Sequence, residues 1–165
     1  MAERESSFLG EGVKLAICIL ASQAAGLVGT IFTMQSIPTW YDTLAKPAFT
    51  PPGWVFSIVW IALYSLMGIA AYLVLRMGLH RPSVRIAMAG FIIQLGLNAL
   101  WTYLFFGRRD PVAGLLEIAI LWVAILFTLV RFKPLSSVAA GLMAPYLLWV
   151  SFAVALNAAI VWMNR

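Results

Sequence analysis

The chain has 165 residues, of which 63% are hydrophobic and 10% charged, and its mean hydropathy is +0.96. A soluble domain is roughly a quarter charged, and a globule of this size has too little interior to hide so much apolar surface, so the composition excludes a water-soluble fold. The formal charge of +5, with no basic cluster longer than Arg108-Arg109, points to anionic lipid headgroups as neighbours and excludes nucleic acid.

A hydrocarbon layer about 30 Å thick is crossed by roughly 20 apolar residues as helix. Five stretches qualify, and they are continuously apolar, without the alternation of membrane-barrel strands. The expected fold is therefore all-α, a five-transmembrane-helix bundle forming one domain over residues 1–165. The first helix is expected over Val13–Gln35. Lys14, Leu15–Leu20 and Ser22-Gln23-Ala24 loosely imitate a signal peptide. Glu3, Glu5 and Glu11 spoil the basic leader, and apolar residues continue past Ala24, so the helix is expected to be retained. Small residues recur in it every fourth position, as Ala21, Ala25 and Gly29 and as Ser22, Gly26 and Thr30. Such a face lets another helix approach closely, inside the bundle or in a second subunit.

A loop over 36–53 follows. It carries Pro38, Pro47, Pro51 and Pro52 together with Trp40 and Tyr41, a stiff and aromatic segment unlike a flexible linker. The remaining helices are expected over Trp54–Arg76, Val84–Phe106, Pro111–Arg131 and Leu135–Met163, with short connections between them. Pro145 lies inside the last, where it frees the Gly141 carbonyl and offers a kink beside a cavity. His80, between Leu79 and Arg81-Pro82, is read as a loop residue.

Short-loop Lys and Arg set orientation. The N-terminal side holds seven (Arg4, Lys14, Arg76, Arg81, Arg85, Arg131, Lys133) and the opposite side four (Lys46, Arg108, Arg109, Arg165), which favours a cytoplasmic N-terminus. At 1.5 Å per residue, Trp60 and Glu117 then lie about 9 Å below the external surface and Asn98 about 12 Å below it, with Asn157 at a similar depth. These groups also share helix faces: Gln94, Asn98, Trp101 and Phe105; Tyr146, Trp149, Ala153 and Leu156 or Asn157; Trp60, Tyr64 and Met67. Any one of them is ordinary packing. Three such stripes at one depth under one stiff loop describe a mostly apolar pocket with a few orienting polar groups. Trp40, Trp54 and Trp162 fall near span ends, where an aromatic belt needs no function, and Trp122 is read as facing lipid. Glu117 must be protonated, hydrogen-bonded or snorkelled outward.

With one His and one Cys, no catalytic triad, Cys/His pair or metal cluster can form. No phosphate loop is present, and one intramembrane acid on an odd number of spans does not describe an ion pathway or an inverted-repeat transporter. What remains is a binder of hydrophobic ligands that requires no cofactor.

Specific motifs sharpen this reading. Trp40-Tyr41-Asp42-Thr43-Leu44-Ala45-Lys46-Pro47 followed by Thr50-Pro51-Pro52-Gly53-Trp54, Trp60 with Leu63-Tyr64, Leu97-Asn98 with Trp101 and Phe105-Phe106-Gly107, and Pro145-Tyr146-Leu147-Leu148-Trp149 with Leu156-Asn157 resemble, in order and spacing over nearly the whole chain, the translocator protein family (TspO/MBR, tryptophan-rich sensory protein). The resemblance implies a five-helix bundle, often a homodimer, that binds porphyrins such as protoporphyrin IX and haem under its first loop. Carried over by position, the pocket residues are Tyr41, Trp60, Asn98, Trp101, Tyr146, Trp149 and Ala153, to which the helix 2 stripe adds Tyr64. Trp60 and Trp149 match the tryptophans implicated in light-dependent porphyrin degradation. The sterol motif of animal members is missing, because Ala158 and Ala159 stand where its tyrosine falls; Leu66, Tyr72 and Arg76 make only a loose substitute. The resemblance thus implies porphyrin in preference to sterol, and a bacterial envelope membrane. Three functions follow: a porphyrin receptor or carrier, a light-dependent porphyrin-degrading enzyme using Trp60 and Trp149, or an assembly scaffold. For topology, cysteines placed at Thr43 and Arg109 should label from outside intact cells and one at Ser83 should not; the reverse pattern would overturn the orientation.

Overall fold

The computed structural model describes residues 2–165, with side chains from Gly10 onward, so the charges of Glu3, Arg4 and Glu5 lie outside the described side chains. Five helices follow in order: α1 (Ala2–Ser36), α2 (Gly53–Leu75), α3 (Pro82–Thr102), α4 (Pro111–Phe132) and α5 (Ser137–Met163). Each contains a stretch long and apolar enough to cross a membrane, so the chain is an integral, multi-pass membrane protein. No strand occurs among the described residues. In lipid the backbone must satisfy its own hydrogen bonds, and a helix does so within one segment.

Apart from α1, which begins at Ala2, eleven residues before the expected Val13, local chemistry sets the helix ends close to the sequence expectation. Asp110 caps α4, its Oδ1 accepting from the Val112 and Ala113 amides at 3.1 and 3.0 Å, and Pro111 takes the first position, where no amide donor is needed. Ser136 caps α5 through its hydroxyl, which accepts from Ala139 N at 3.2 Å, so α5 starts two residues later than the apolar run. Pro145 sits within α5 without ending it. A π-helical turn, Tyr103–Gly107, continues α3. The chain then reverses through Arg109, whose φ of 56° is left-handed, uncommon without glycine.

Packing partners close the bundle into a ring in the order α1, α2, α5, α4, α3, with α2 and α3 also touching. One half of the ring is solid. Met67, Val74, Val84, Ala87, Ile125, Phe132, Ala139 and Met143 are all fully buried, and Phe91 stacks on Phe132 at 6.1 Å between centroids. This half lies toward the α2–α3 and α4–α5 turns. The opposite half, under the proline-rich loop, is hollow.

Ser22, Gly26 and Gly29 of the α1 small-residue face pack inside the bundle, whereas Ala21 and Thr30 are exposed. Ser22 is fully buried, a Cβ on Gly26 would run into the Tyr64 ring, and one on Gly29 would come within 3.1 Å of Thr102 Oγ1. These three positions face α2 and α3. At Gly68 of α2 a Cβ would run into the backbone of Cys18 and Ile19 on α1. Gly96, by contrast, has nothing within 4 Å of its Cβ position. Gly68→Ala should therefore lower the thermal midpoint in detergent, by the equivalent of about 1–3 kcal/mol of overpacking, while Gly96→Ala should leave it unchanged or raise it, by up to about 1 kcal/mol of helix propensity. Equal midpoints for the two variants would contradict this packing.

Candidate functional site

The floor of the hollow half is a chain of polar side chains contributed by three helices. Tyr64 on α2 donates its hydroxyl hydrogen to Asn98 Oδ1 at 2.5 Å, and Asn98 Nδ2 on α3 donates to the Tyr146 hydroxyl on α5 at 3.1 Å. All three are buried, so both ends of the amide are used where an unmade bond would carry the full desolvation penalty. Trp60 lies on this floor, stacked on Tyr64 at 5.3 Å and edge-on to Tyr146 at 6.2 Å. A second amide works nearer the loop: Asn157 Oδ1 accepts from the Trp101 indole at 3.3 Å, and its Nδ2 donates to the Pro111 carbonyl at 2.9 Å. The two indoles are thus oriented by neighbours on other helices.

Above the floor is a cavity of about 650 Å³, within the usual size range of small-molecule sites. Trp60, Trp101, Trp149 and Phe56 supply its aromatic wall, with Ala153 and Leu156 between them. Trp149 is held edge-on by Phe56 at 5.7 Å and tilted against Phe152 at 5.4 Å. Gly26 and Gly29 of α1 line the far side, and their missing side chains leave room for Tyr64 and Thr102. Between α1 and α2 the cavity opens sideways, where its lining residues Leu27, Ile61 and Met34 are 67%, 61% and 71% exposed. Below this gap, Gln23 Nε2 donates to the Ile61 carbonyl and Ser65 Oγ, both at 3.0 Å, and ties the two helices together.

The loop forms the roof, and it is anchored at several points. Trp40 and Tyr41 pack on Phe105 and Phe106 of the π-helical turn, with centroids 5.5 to 6.2 Å apart. Ser36 donates to the Phe106 carbonyl at 2.6 Å. Asn164, at the end of α5, grips Ala45 twice: its Oδ1 accepts from the Ala45 amide and its Nδ2 donates to the Ala45 carbonyl, both at 2.9 Å. At the mouth, Lys46 Nζ donates to the Asp42 and Leu44 carbonyls at 3.2 and 3.3 Å and sits 4.9 Å from the Tyr41 ring centre. Partial burial, then the Asp42 carboxylate, hold the Tyr41 phenol above its ordinary pKa, so it stays a neutral hydrogen-bonding group.

Of the residues expected from the sequence, Tyr41, Trp60, Tyr64, Asn98, Trp101, Trp149 and Ala153 all line this cavity. Tyr146 does not. It is the fully buried end of the floor's polar chain, outside the cavity lining, and acts on the cavity through Asn98 and Trp60. Phe56 and Lys46 line the cavity but were not singled out by spacing; Phe56 lies one turn before Trp60, and that stripe extends to it. Glu117 neither snorkels nor pairs: it is 5% exposed, and neither oxygen meets a hydrogen-bond donor among the described residues. Gln94, one turn below Asn98, is buried with both amide atoms unpartnered in the same sense, away from the cavity lining. Trp122 is partly exposed on the outside of the bundle, where its indole donates to the exposed Ser151 Oγ at 2.8 Å and links α4 to α5.

Comparison with known proteins agrees with this architecture. The TspO/MBR family profile matches residues 18–163. The chain is 46% identical to the tryptophan-rich protein TspO of Archaeoglobus fulgidus over 92% of its own length and 97% of the relative's. It is 42% identical to the protein of that name in Chlorobaculum tepidum, over 91% and 95% of the two lengths. Identity to the human translocator protein is 35%, over 84% and 82%. A family match across nearly all five helices, and relatives aligned over almost their whole length, establish that this chain belongs to the TspO/MBR family.

Proposed function

We propose that the protein is a membrane receptor or carrier for porphyrin-class ligands, protoporphyrin IX and haem among them, acting in tetrapyrrole sensing or transport from a bacterial envelope membrane with its N-terminus in the cytoplasm. The single observation behind this reading is the cavity itself: three indoles, Trp60, Trp101 and Trp149, walling one space under a roof that carries Lys46. A porphyrin is a flat apolar macrocycle with two carboxylates on one edge. Indole faces stack on such a ring, and aromatic contacts add about 0.5–1.5 kcal/mol each beyond the area buried. The carboxylates need water or a cation, and the cavity lining includes Lys46. The sideways opening between α1 and α2 suits a ligand that partitions into lipid before it binds. Family relatives bearing the names tryptophan-rich sensory protein and translocator protein support a receptor or transporter as the broader class.

A second reading rests on the same indoles. Trp60 stacks on Tyr64, a pairing of two oxidisable rings, and light-dependent porphyrin degradation, with dissolved dioxygen as the oxidant that accepts the electrons, would draw on it. Binding and chemistry separate by variant. Trp60→Ala should weaken protoporphyrin IX binding about threefold to tenfold, from one lost aromatic contact, and Trp60→Phe less. Trp162, which is 77% exposed at the end of α5, serves as the control, and Trp162→Phe should change nothing. Tryptophan quenching in nanodiscs reads each affinity. A new absorbing product in light, lost in Trp60→Phe while binding persists, would favour the enzyme. Equal losses for Trp60→Ala and Trp162→Phe would remove the site assignment.

The roof makes a separate prediction. Lys46→Gln should reduce affinity for protoporphyrin IX severalfold and leave its dimethyl ester unaffected, since only the free acid presents charge to the ammonium group. The same loss for acid and ester would show that Lys46 acts through the loop's shape alone.

A further inference from the structure

Among the described residues that line the cavity, Lys46 is the only cation, and three consecutive joints of the loop decide where it stands. The short 3₁₀ turn Tyr41–Thr43 ends at Leu44, whose amide donates to the Tyr41 carbonyl at 3.2 Å and whose φ and ψ are −72° and 144°. On the other side, Pro47 crowds the backbone of the residue before it, which keeps Lys46 itself extended. Ala45 lies between them with neither a turn nor a proline to fix it. By local sequence alone it is a free hinge.

The missing constraint comes from the end of α5, 119 residues away in sequence. Asn164 Oδ1 accepts from the Ala45 amide and Asn164 Nδ2 donates to the Ala45 carbonyl, both at 2.9 Å, so the peptide groups on both sides of the Ala45 Cα are held. A primary amide carries an acceptor and a donor side by side; aspartate would lack the donor and alanine would lack both. Nδ2 also donates to the Ile160 carbonyl at 2.8 Å, one of the groups that a helix leaves open at its end. The Asn164 side chain is therefore fixed to α5 before it reaches the loop.

We infer that Asn164 is a positioning residue for Lys46, and that through it α5 sets the cavity's preference for ligands bearing a carboxylate; this rests on the porphyrin reading given above. With Ala45 locked, Lys46 folds back over the turn, where Nζ meets the Asp42 and Leu44 carbonyls and lies 4.9 Å from the Tyr41 ring centre. These partners are neutral and leave the ammonium its full charge. No carboxylate pairs with it among the described residues, where the salt bridges are those of Glu11 with Lys14 and Arg76. The charge is thus free for an acidic ligand, at a place that Asn164 chooses without touching the ligand. With the clasp gone, Ala45 turns freely and the ammonium spreads over many positions in water.

The test uses the full-length chain in nanodiscs, labelled with carbon-13 at the lysine ε-carbons, so that nuclear magnetic resonance reads Lys14, Lys46 and Lys133. Lys46→Gln identifies the Lys46 signal by its loss. The Tyr41 ring current should shift the Lys46 ε-methylene protons upfield. Asn164→Ala should return them to the position of an exposed lysine and leave the Lys14 and Lys133 signals unmoved. A Lys46 signal that stays upfield in Asn164→Ala would overturn the proposal, whether or not porphyrin binds. Tryptophan quenching then reads the consequence for ligands. Asn164→Ala should lower protoporphyrin IX affinity about threefold to fivefold, close to the upper worth of one exposed ion pair. It should leave the dimethyl ester unaffected and cost nothing further when added to Lys46→Gln. Equal losses for acid and ester, or additive losses in the double variant, would show that the clasp acts through the general shape of the roof and would overturn the proposal. A wild-type chain that binds neither acid nor ester would overturn the porphyrin reading and the preference assigned to Asn164, while the lysine signal would still decide whether the clasp places the cation.

Discussion

Asn98 is the constraint on which the hollow half of this bundle depends. A cavity in a helical membrane protein tends to close, because nothing but packing keeps neighbouring helices apart and lipid offers no hydrogen bonds to polar groups left uncovered. Here one amide accepts from Tyr64 and donates to Tyr146, so α2, α3 and α5 are fixed at one level. Each partner then carries an indole contact: Tyr64 lies under Trp60, and Tyr146 meets its edge. The wall is thereby set by hydrogen bonds made one layer beneath it. Interhelical bonds of this type are worth only about 0.6–2 kcal/mol each in membranes, so their contribution is geometric more than energetic.

The division into a solid and a hollow half follows from where small and large residues fall. Below Asn98, alanines at 70, 71, 87, 139 and 140 let the helices close on Met67, Phe91, Phe132 and Met143. Above it, aromatic rings brace one another around the space: Phe105 against Trp40, Tyr41, Trp101 and Phe106, and Trp149 against Phe56 and Phe152. The roof is tied at both ends of its first half, by Ser36 to Phe106 and by Ala45 to Asn164. A loop held in this way covers the cavity as a formed lid, which leaves the sideways gap between α1 and α2 as the softer boundary.

Much of this was legible in the chain. Five apolar runs give five helices because a bilayer accepts few other solutions, and the spacing of Trp60 with Tyr64 and of Asn98 with Trp101 is enough to put each pair on one face. Spacing fixes direction around a helix but not distance from the bundle axis, so Tyr146 shared a stripe with Trp149 and yet lies outside the cavity lining. The use of α1's small residues was undecidable for the same reason: Gly26 and Gly29 announce a close approach, and only the fold says that Tyr64 and Thr102 make it. Contacts between distant ends of the chain, such as Ala45 with Asn164 or Gln23 with Ser65, leave no periodic trace.

The central claim, that this cavity receives a flat aromatic ligand against its indoles, is tested most directly by nuclear magnetic resonance of the seven tryptophan side chains during a protoporphyrin IX titration in nanodiscs. A macrocycle stacked in the cavity should displace the indole N–H signals of Trp60, Trp101 and Trp149 through its ring current, and leave those of Trp54, Trp122 and Trp162 in place. Displacement of Trp54 and Trp162 with the three cavity signals unmoved would place the porphyrin at the membrane surface and contradict the account.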